Sequence, residues 1–139
     1  MQRETSPPFV GRFDRSVDGK GRVIFPTRLR PVFDQKGYIA PHEDGCLALW
    51  TSEEFEKEAD RQHVREVESR RTRDEVREWF SKVSKVALDL QGRMAIPGDL
   101  RSHAGLEDTA LFVGVHDRFE LWSTARWDHR FDDATDAGS

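Results

Sequence analysis

Apolar and polar positions along this chain run through one series of short elements twice. Phe9-Val-Gly-Arg-Phe-Asp-Arg-Ser-Val17 has strand composition, Asp18-Gly-Lys-Gly21 supplies turn chemistry, and Arg22-Val-Ile-Phe25 reads as a second strand. Together they predict a β-hairpin. Pro26 suits the first turn of a brief helix with Leu29, Val32 and Phe33 on its apolar side, ending before Gly37. Tyr38-Ile-Ala40 and Cys46-Leu-Ala-Leu-Trp50 flank the polar connector His42-Glu-Asp-Gly45 and predict an antiparallel pair. The second series follows the same order: strand Lys85 to Leu88, turn Asp89 to Gly92, strand Arg93 to Ile96, short helix from Pro97, strand Ala110 to Val115, turn at His116-Asp117, strand Phe119 to Trp122 and a final helix.

Behind this order lies a duplication. Asp18-Gly-Lys-Gly-Arg22-Val-Ile-Phe-Pro26-Thr-Arg-Leu-Arg30 returns 71 positions later as Asp89-Leu-Gln-Gly-Arg93-Met-Ala-Ile-Pro97-Gly-Asp-Leu-Arg101, with six of 13 positions identical. Unrelated stretches would share about one. Each copy leads on to an apolar segment that ends in Trp and a hydroxyl residue. With Thr51 and Ser123 as N-caps, Trp50 and Trp122 precede the cap while Phe55 and Trp127 fall at the fourth helical position, the spacing of a hydrophobic staple.

Between the copies, residues 52 to 83 are charged and helical in character. Thr72-Arg-Asp-Glu75 is a capping-box signature, and Val76, Trp79, Phe80 and Val83 follow on one face, so this helix is expected to dock on the body. Ala59 to Arg71 has few apolar residues and reads as a flexible or solvent-exposed connection, and both tails, 1 to 8 and 133 to 139, read as disordered.

At 139 residues the chain suits one α+β body of two pseudo-symmetric units. Nine Phe and four Trp supply a core, while 35% charged residues cover the surface. No stretch approaches the roughly 20 apolar residues of a membrane span and the N-terminus has no apolar signal region, so a cytoplasmic location is expected, with no membrane partner. The lone Cys46, in an apolar run, reads as a small core residue.

Charge distribution changes the picture more than its total of −4 does. Residues 1 to 30 carry seven Lys/Arg against three Asp/Glu, whereas residues 104 to 139 carry three against eight. A positive first repeat is either a solvated face or a footprint for a polyanion. Asp-x-x-Gly-Arg has a structural explanation in both copies: Asp bonds its own turn, Gly takes positive φ, and Arg pairs with Asp. In the first copy Lys20 stands beside Arg22, with Arg12 and Arg15 before and Arg28 beyond, and a two-stranded ribbon fits the DNA major groove.

No catalytic constellation is read. The five histidines are scattered, and His42, Glu43, Asp44 and Cys46 do not complete a four-ligand metal site. No phosphate-binding glycine loop or Ser-centred elbow occurs, so neither a cofactor nor a small-molecule substrate is expected.

The two Asp-x-x-Gly-Arg copies, each followed by Pro and Leu-Arg, together with Ala104-Gly-Leu106, Val113-Gly114 and Phe119-Glu-Leu-Trp122, carry a specific likeness. Over about residues 9 to 128 the chain resembles the MraZ family, bacterial transcriptional regulators with two copies of a swapped-hairpin fold related to the AbrB and SpoVT DNA-binding domains. The resemblance implies a first repeat at 9–56, a helical linker at 57–83 and a second repeat at 84–132. It implies a ring-shaped homo-oligomer, nucleoid-associated, that binds short direct repeats in double-stranded DNA and represses its own division and cell wall gene cluster. DNA contact would fall to Lys20 and Arg22, with Arg12, Arg15 and Arg28 adding attraction. Asp18, Gly21, Asp89 and Gly92 would be structural, and Arg93, beside which Leu90-Gln91 replace Gly19-Lys20, would serve mainly an Asp89 pairing or a subunit contact. The alternatives are a ring-forming protein-interaction scaffold without specific DNA binding and an antitoxin-like protein, which would need a toxin-binding tail for which residues 129 to 139 are too short.

Overall fold

The computed structural model describes residues 8–33 and 36–137 of the chain. In chain order the elements are β1 (Arg12–Ser16), β2 (Arg22–Ile24), a 3-10 turn (Thr27–Leu29) running into α1 (Arg30–Phe33), β3 (Lys36–His42), a 3-10 turn (Glu43–Gly45), β4 (Cys46–Thr51), α2 (Ser52–Val67), α3 (Arg73–Lys82), β5 (Ser84–Ala87), β6 (Arg93–Ala95), α4 (Gly98–Ala104), β7 (Thr109–Gly114), β8 (Phe119–Trp122) and α5 (Thr124–Ala137). Six strands form one antiparallel sheet in the order β1-β7-β8-β4-β3-β5, and β2 pairs with β6 in a separate two-stranded ribbon.

That ribbon corrects one expectation. The segment 9–25 is not a local hairpin ladder: β1 lies along β7, with Phe13 opposite Phe112, while β2 lies along β6, with Val23 opposite Met94. The turn itself closes as expected, through a single bridge Val17–Val23 and the bond from Asp18 N to Arg22 O. Past it β2 diverges from β1, because Val23 and Phe25 are apolar on the side that faces the sheet and both are fully buried there. Hydropathy alternation specifies which face of a strand is buried but not its partner. The second copy behaves alike, with one bridge Leu88–Met94 and the bond from Asp89 N to Arg93 O.

The sheet separates two apolar layers. Ile39, opposite Leu49 across β3 and β4, and Leu47 face the ribbon side and join Phe33, Met94, Ile96, Leu100, Phe112, Phe119 and Leu121 in the main core. Phe25 sits at its centre, edge-on to Phe112 (5.7 Å) and Phe119 (5.9 Å) and tilted against Phe33 (4.8 Å). Truncating such a side chain to Ala removes about 3–5 kcal/mol. Pro41 fits a sheet position because β5 pairs with β3 only over Lys36–Ile39, so no ladder bond is demanded of its missing N–H.

The opposite face receives the linker helices. Ala40 and Ala48 leave room for Trp50 and Trp79, and Phe55 stacks on Trp79 at 6.0 Å. The Thr72 capping box forms in full, with Glu75 N bonded to Thr72 Oγ1 (3.0 Å) and Thr72 N to Glu75 Oε1 (2.8 Å). Both predicted staples are in place: Trp50 meets Phe55 at 5.8 Å and Trp122 meets Trp127 at 5.4 Å, behind caps in which Thr51 and Ser123 accept from Glu54 N and Arg126 N.

Ala59 to Arg71 is largely solvent-exposed, as expected, with Gln62 its one buried residue, while α2 as a whole stays helical to Val67 and turns a polar face inward. Glu54, Glu58 and Gln62 are each less than 7% exposed. Glu58 receives Arg61 (2.8 Å), Arg65 (3.6 Å) and the Gln62 amide (2.9 Å), and Arg71 donates to Gln62 (3.1 Å). A search for apolar periodicity passes over a buried face made of paired polar groups. Helix α5 continues to Ala137, past the start of the tail expected from 133, and the tail expected at 1 to 8 lies outside the described residues apart from Pro8.

No helix among the described residues is long and apolar enough to cross a membrane. Cys46 is fully buried, and that burial pushes its thiol up to about 12.

Candidate nucleic-acid interface

Each Asp-x-x-Gly-Arg turn is built around its aspartate. Asp18 Oδ1 accepts from Lys20 N (2.9 Å) and Arg22 N (3.0 Å), and Oδ2 accepts from Arg22 Nε (2.9 Å). Gly21 closes the reversal at φ +77°, with its N–H on Asp18 O (3.0 Å). The second turn repeats every contact: Asp89 takes Gln91 N (2.8 Å), Arg93 N (2.9 Å) and Arg93 Nε (2.7 Å), with Gly92 at φ +78°. Three donors converging on one carboxylate favour its charged form, so Asp18 and Asp89 titrate below the ordinary aspartate value of 3.8, chiefly through the backbone N–H of Arg22 and of Arg93.

The scaffolds are equal and the displays differ. At the first tip Lys20 is exposed, and among the described residues no carboxylate pairs with its ammonium. Arg22 gives only Nε to Asp18, which leaves the two terminal nitrogens of its half-buried guanidinium as donors for another group. At the second tip Arg93 is held in the same way, but Gln91 stands in place of Lys20 and Leu90, fully exposed, in place of Gly19. Antiparallel pairing of Arg22 with Ala95 and of Ile24 with Arg93 puts the two turns at opposite ends of the ribbon.

The other basic residues do not join this tip as one patch. Alternation along β1 places Arg15 on the face of Phe13, whose ring its guanidinium approaches at 6.0 Å, while Arg12 shares the opposite face with Asp14 and Ser16. Arg15 also donates to Asp14 O (2.7 Å). Arg28 lies in the 3-10 turn Thr27–Leu29, and its side chain is outside the described residues. Arg93 pairs with Asp89, as expected.

Two residues of the turns went unrecognised in the sequence reading. Arg101 packs on Gly21 and Arg30 packs on Gly92, so each turn is completed by the other copy. The signal was present, since Leu-Arg closes both copies of the repeat, but a pattern that recurs within each copy conceals contacts that cross between copies.

A cleft of about 460 Å³ between α2, α3 and the β7–β8 turn offers a contrast. Its Arg61, Glu58, Asp117 and Arg118 are committed to one another, with Arg61 bonded to Glu58 and Asp117 (3.4 Å) and Arg118 to Asp117 (3.1 Å) and Glu120 (2.7 Å). Burial holds His42, at the same wall, below its ordinary value of 6.5.

Residues 79–138 match the family described as "MraZ protein, putative antitoxin-like". A relative from Alkaliphilus metalliredigens is 35% identical over 126 residues, covering 91% of this chain and 88% of the relative. One from Thermomicrobium roseum is 35% identical over 119 residues (86% and 84%), and one from Ligilactobacillus salivarius is 34% identical over 126 residues (91% and 88%). All three are named "Transcriptional regulator MraZ". Identity of 34–35% over 86–91% of the chain leaves one assignment: this chain belongs to the MraZ family.

Proposed function

We propose that the chain is a sequence-specific DNA-binding transcriptional regulator that acts through its first turn. The observation that carries this reading is the difference between two turns of the same geometry: Arg22 and Arg93 are held alike, but the first turn sets Gly19-Lys20 beside its arginine where the second sets Leu90-Gln91. The naming of its relatives as transcriptional regulators points the same way. Arg22 is anchored through Nε with its terminal nitrogens unused by Asp18, which suits it to a bidentate contact with guanine, and Lys20 is suited to a phosphate. Arg12, Arg15 and Arg28 add long-range attraction.

The two repeats, 9–56 and 84–132 about the linker 57–83, act as one intertwined swapped-hairpin unit; the β2–β6 ribbon and the bonds Phe25 N to Gly92 O (2.9 Å) and Ile96 N to Gly21 O (3.0 Å) support this. One tip offers few phosphate contacts and would bind weakly at physiological salt, so several subunits in a ring act together on short direct repeats, repressing the chain's own division and cell wall gene cluster at the nucleoid.

Fluorescence anisotropy against DNA from upstream of the gene and a scrambled duplex, across a salt series, tests the reading. Tight, sequence-dependent binding is expected. Lys20→Ala should weaken all sequences alike and lower the salt slope by about one, while Arg22→Ala should also erode discrimination. Equal, weak binding to both duplexes, unchanged in both variants, would reject the site. A second reading, the ring-forming protein scaffold, is favoured by Leu90 standing fully exposed at the other tip.

A further inference from the structure

Arg30 and Arg101 occupy equivalent positions at the ends of the two copies, and each lies against the turn of the other copy. A Cβ added at Gly21 would stand 2.6 Å from both Cζ and Nε of Arg101, and one added at Gly92 would stand 2.5 Å from Nε and Nη2 of Arg30. The guanidinium planes thus occupy space that only glycine leaves open. Positive φ alone would not demand this, because Asn also adopts the left-handed region.

Backbone bonds close each contact into a circuit. Arg101 Nε donates to Ile96 O (2.9 Å), and Ile96 N donates to Gly21 O (3.0 Å), the residue the guanidinium covers. In the other half Arg30 Nε donates to Phe25 O (3.4 Å), and Phe25 N donates to Gly92 O (2.9 Å). Among the described residues no carboxylate pairs with Arg30 or Arg101, although every other copy-related charge in the turns has its aspartate. What the geometry uses is the flat face and the directed Nε of arginine, properties that lysine lacks.

From this we infer that Arg101 is a positioning residue for the first turn: from the second repeat it fixes the Gly21 backbone that presents Lys20 and Arg22, and Arg30 does the same for the second turn. The two turns are held crosswise. A change at Arg101 therefore disturbs a segment far away in sequence and spares the turn of its own repeat. The inference deepens the DNA-binding reading and rests on it for the consequence at the DNA, but not for the crosswise hold itself.

The test uses the full-length protein and the variants Arg101→Lys, Arg101→Ala and Arg30→Lys, with two readouts. In hydrogen–deuterium exchange by mass spectrometry, Arg101→Lys is expected to speed exchange several-fold over residues 18–21 and leave 89–92 at the wild-type rate, and Arg30→Lys to show the reverse. Each variant is the other's control for general destabilisation. In anisotropy with the upstream duplex, Arg101→Lys is expected to weaken binding about tenfold with an unchanged salt slope, and Arg30→Lys to leave binding within about twofold.

Exchange that rises in the variant's own repeat, or equally in both turns, overturns the inference. So does wild-type binding by Arg101→Lys beside a slope lowered by about one in Arg101→Ala, the signature of a direct phosphate contact. Crosswise exchange with no effect on DNA in these variants or in Lys20→Ala upholds the hold on the turn and refutes the DNA reading instead.

Discussion

Replacing Gly21 with Ala, beside the same change at Gly19 two residues earlier, isolates what the first turn requires of its backbone. Gly21 has φ +77° and Arg101 above it, whereas a Cβ at Gly19 meets no heavy atom within 4 Å. Holding Ala in the left-handed region costs about 1–2 kcal/mol. The Arg101 side chain can swing away from the new methyl, but only by giving up its bond to Ile96 O, worth about 1 kcal/mol. Gly21→Ala should therefore destabilise by about 2–3 kcal/mol, while Gly19→Ala should be neutral or stabilise by up to about 1 kcal/mol, since it narrows the unfolded ensemble without strain. For a chain of this length 1 kcal/mol moves Tm by about 3 °C, so thermal unfolding at one fixed protomer concentration should separate the two variants by about 9 °C. In an Arg101→Ala background the packing component has already gone, and the cost of Gly21→Ala should drop to the backbone strain alone, a coupling of about 1 kcal/mol. Equal Tm values for the two single variants would refute both the conformational and the packing argument.

Other parts of the fold give independent tests. Asp18 and Asp89 have carboxyl groups below their unfolded value of 3.8, so the stability they confer is complete above that pH and is lost as pH falls through the lowered native values; Tm followed from pH 6 to 2.5 should drop more steeply in the wild type than in an Asp18→Asn/Asp89→Asn variant. Parallel curves would show that the turns do not hold these carboxylates. Glu58→Ala should destabilise by about 2–3 kcal/mol in urea unfolding, because Gln62 and the half-exposed Arg61 and Arg65 lose their shared acceptor; a change below about 0.5 kcal/mol would mean the inward polar face of α2 is not formed. Cys46, with its thiol pushed to about 12, should label with a disulfide reagent at pH 8 only when the chain unfolds, and labelling of the native protein at a free-thiol rate would contradict its burial.

What sequence reading captured here was local. Caps, staples, turns and the amphipathic α3 depend on residues close to one another along the chain, and Thr72, Thr51, Ser123 and both Asp-x-x-Gly-Arg turns formed as their spacing indicated. Partnership across the chain was illegible: nothing in Arg22-Val-Ile-Phe25 announces β6 as its neighbour, and nothing in Leu29-Arg30 announces Gly92. Polar burial was illegible for another reason. Glu54, Glu58 and Gln62 repeat with helical spacing, but their burial depends on Arg61, Arg65 and Arg71 arriving to pair them. For the candidate site the turn residues were recoverable and the arrangement of the outlying arginines was not, since Arg12 and Arg15 are three positions apart on a strand and so point to opposite faces.

The ribbon of β2 and β6 bears on how such a chain could diversify. Two separate copies of a single repeat, coming together as a homodimer, would present identical tips, and any substitution that improved one would be imposed on both. Covalent joining through α2 and α3 lifts that symmetry: the shared ribbon keeps Asp18 and Asp89, Gly21 and Gly92, and the crossing arginines under the same steric demands, while Lys20 and Gln91 bond their aspartates only through the backbone N–H, which leaves the choice of side chain open. Gly19-Lys20 against Leu90-Gln91 is the visible result, one gene carrying two versions of the same loop, each free to acquire its own chemistry.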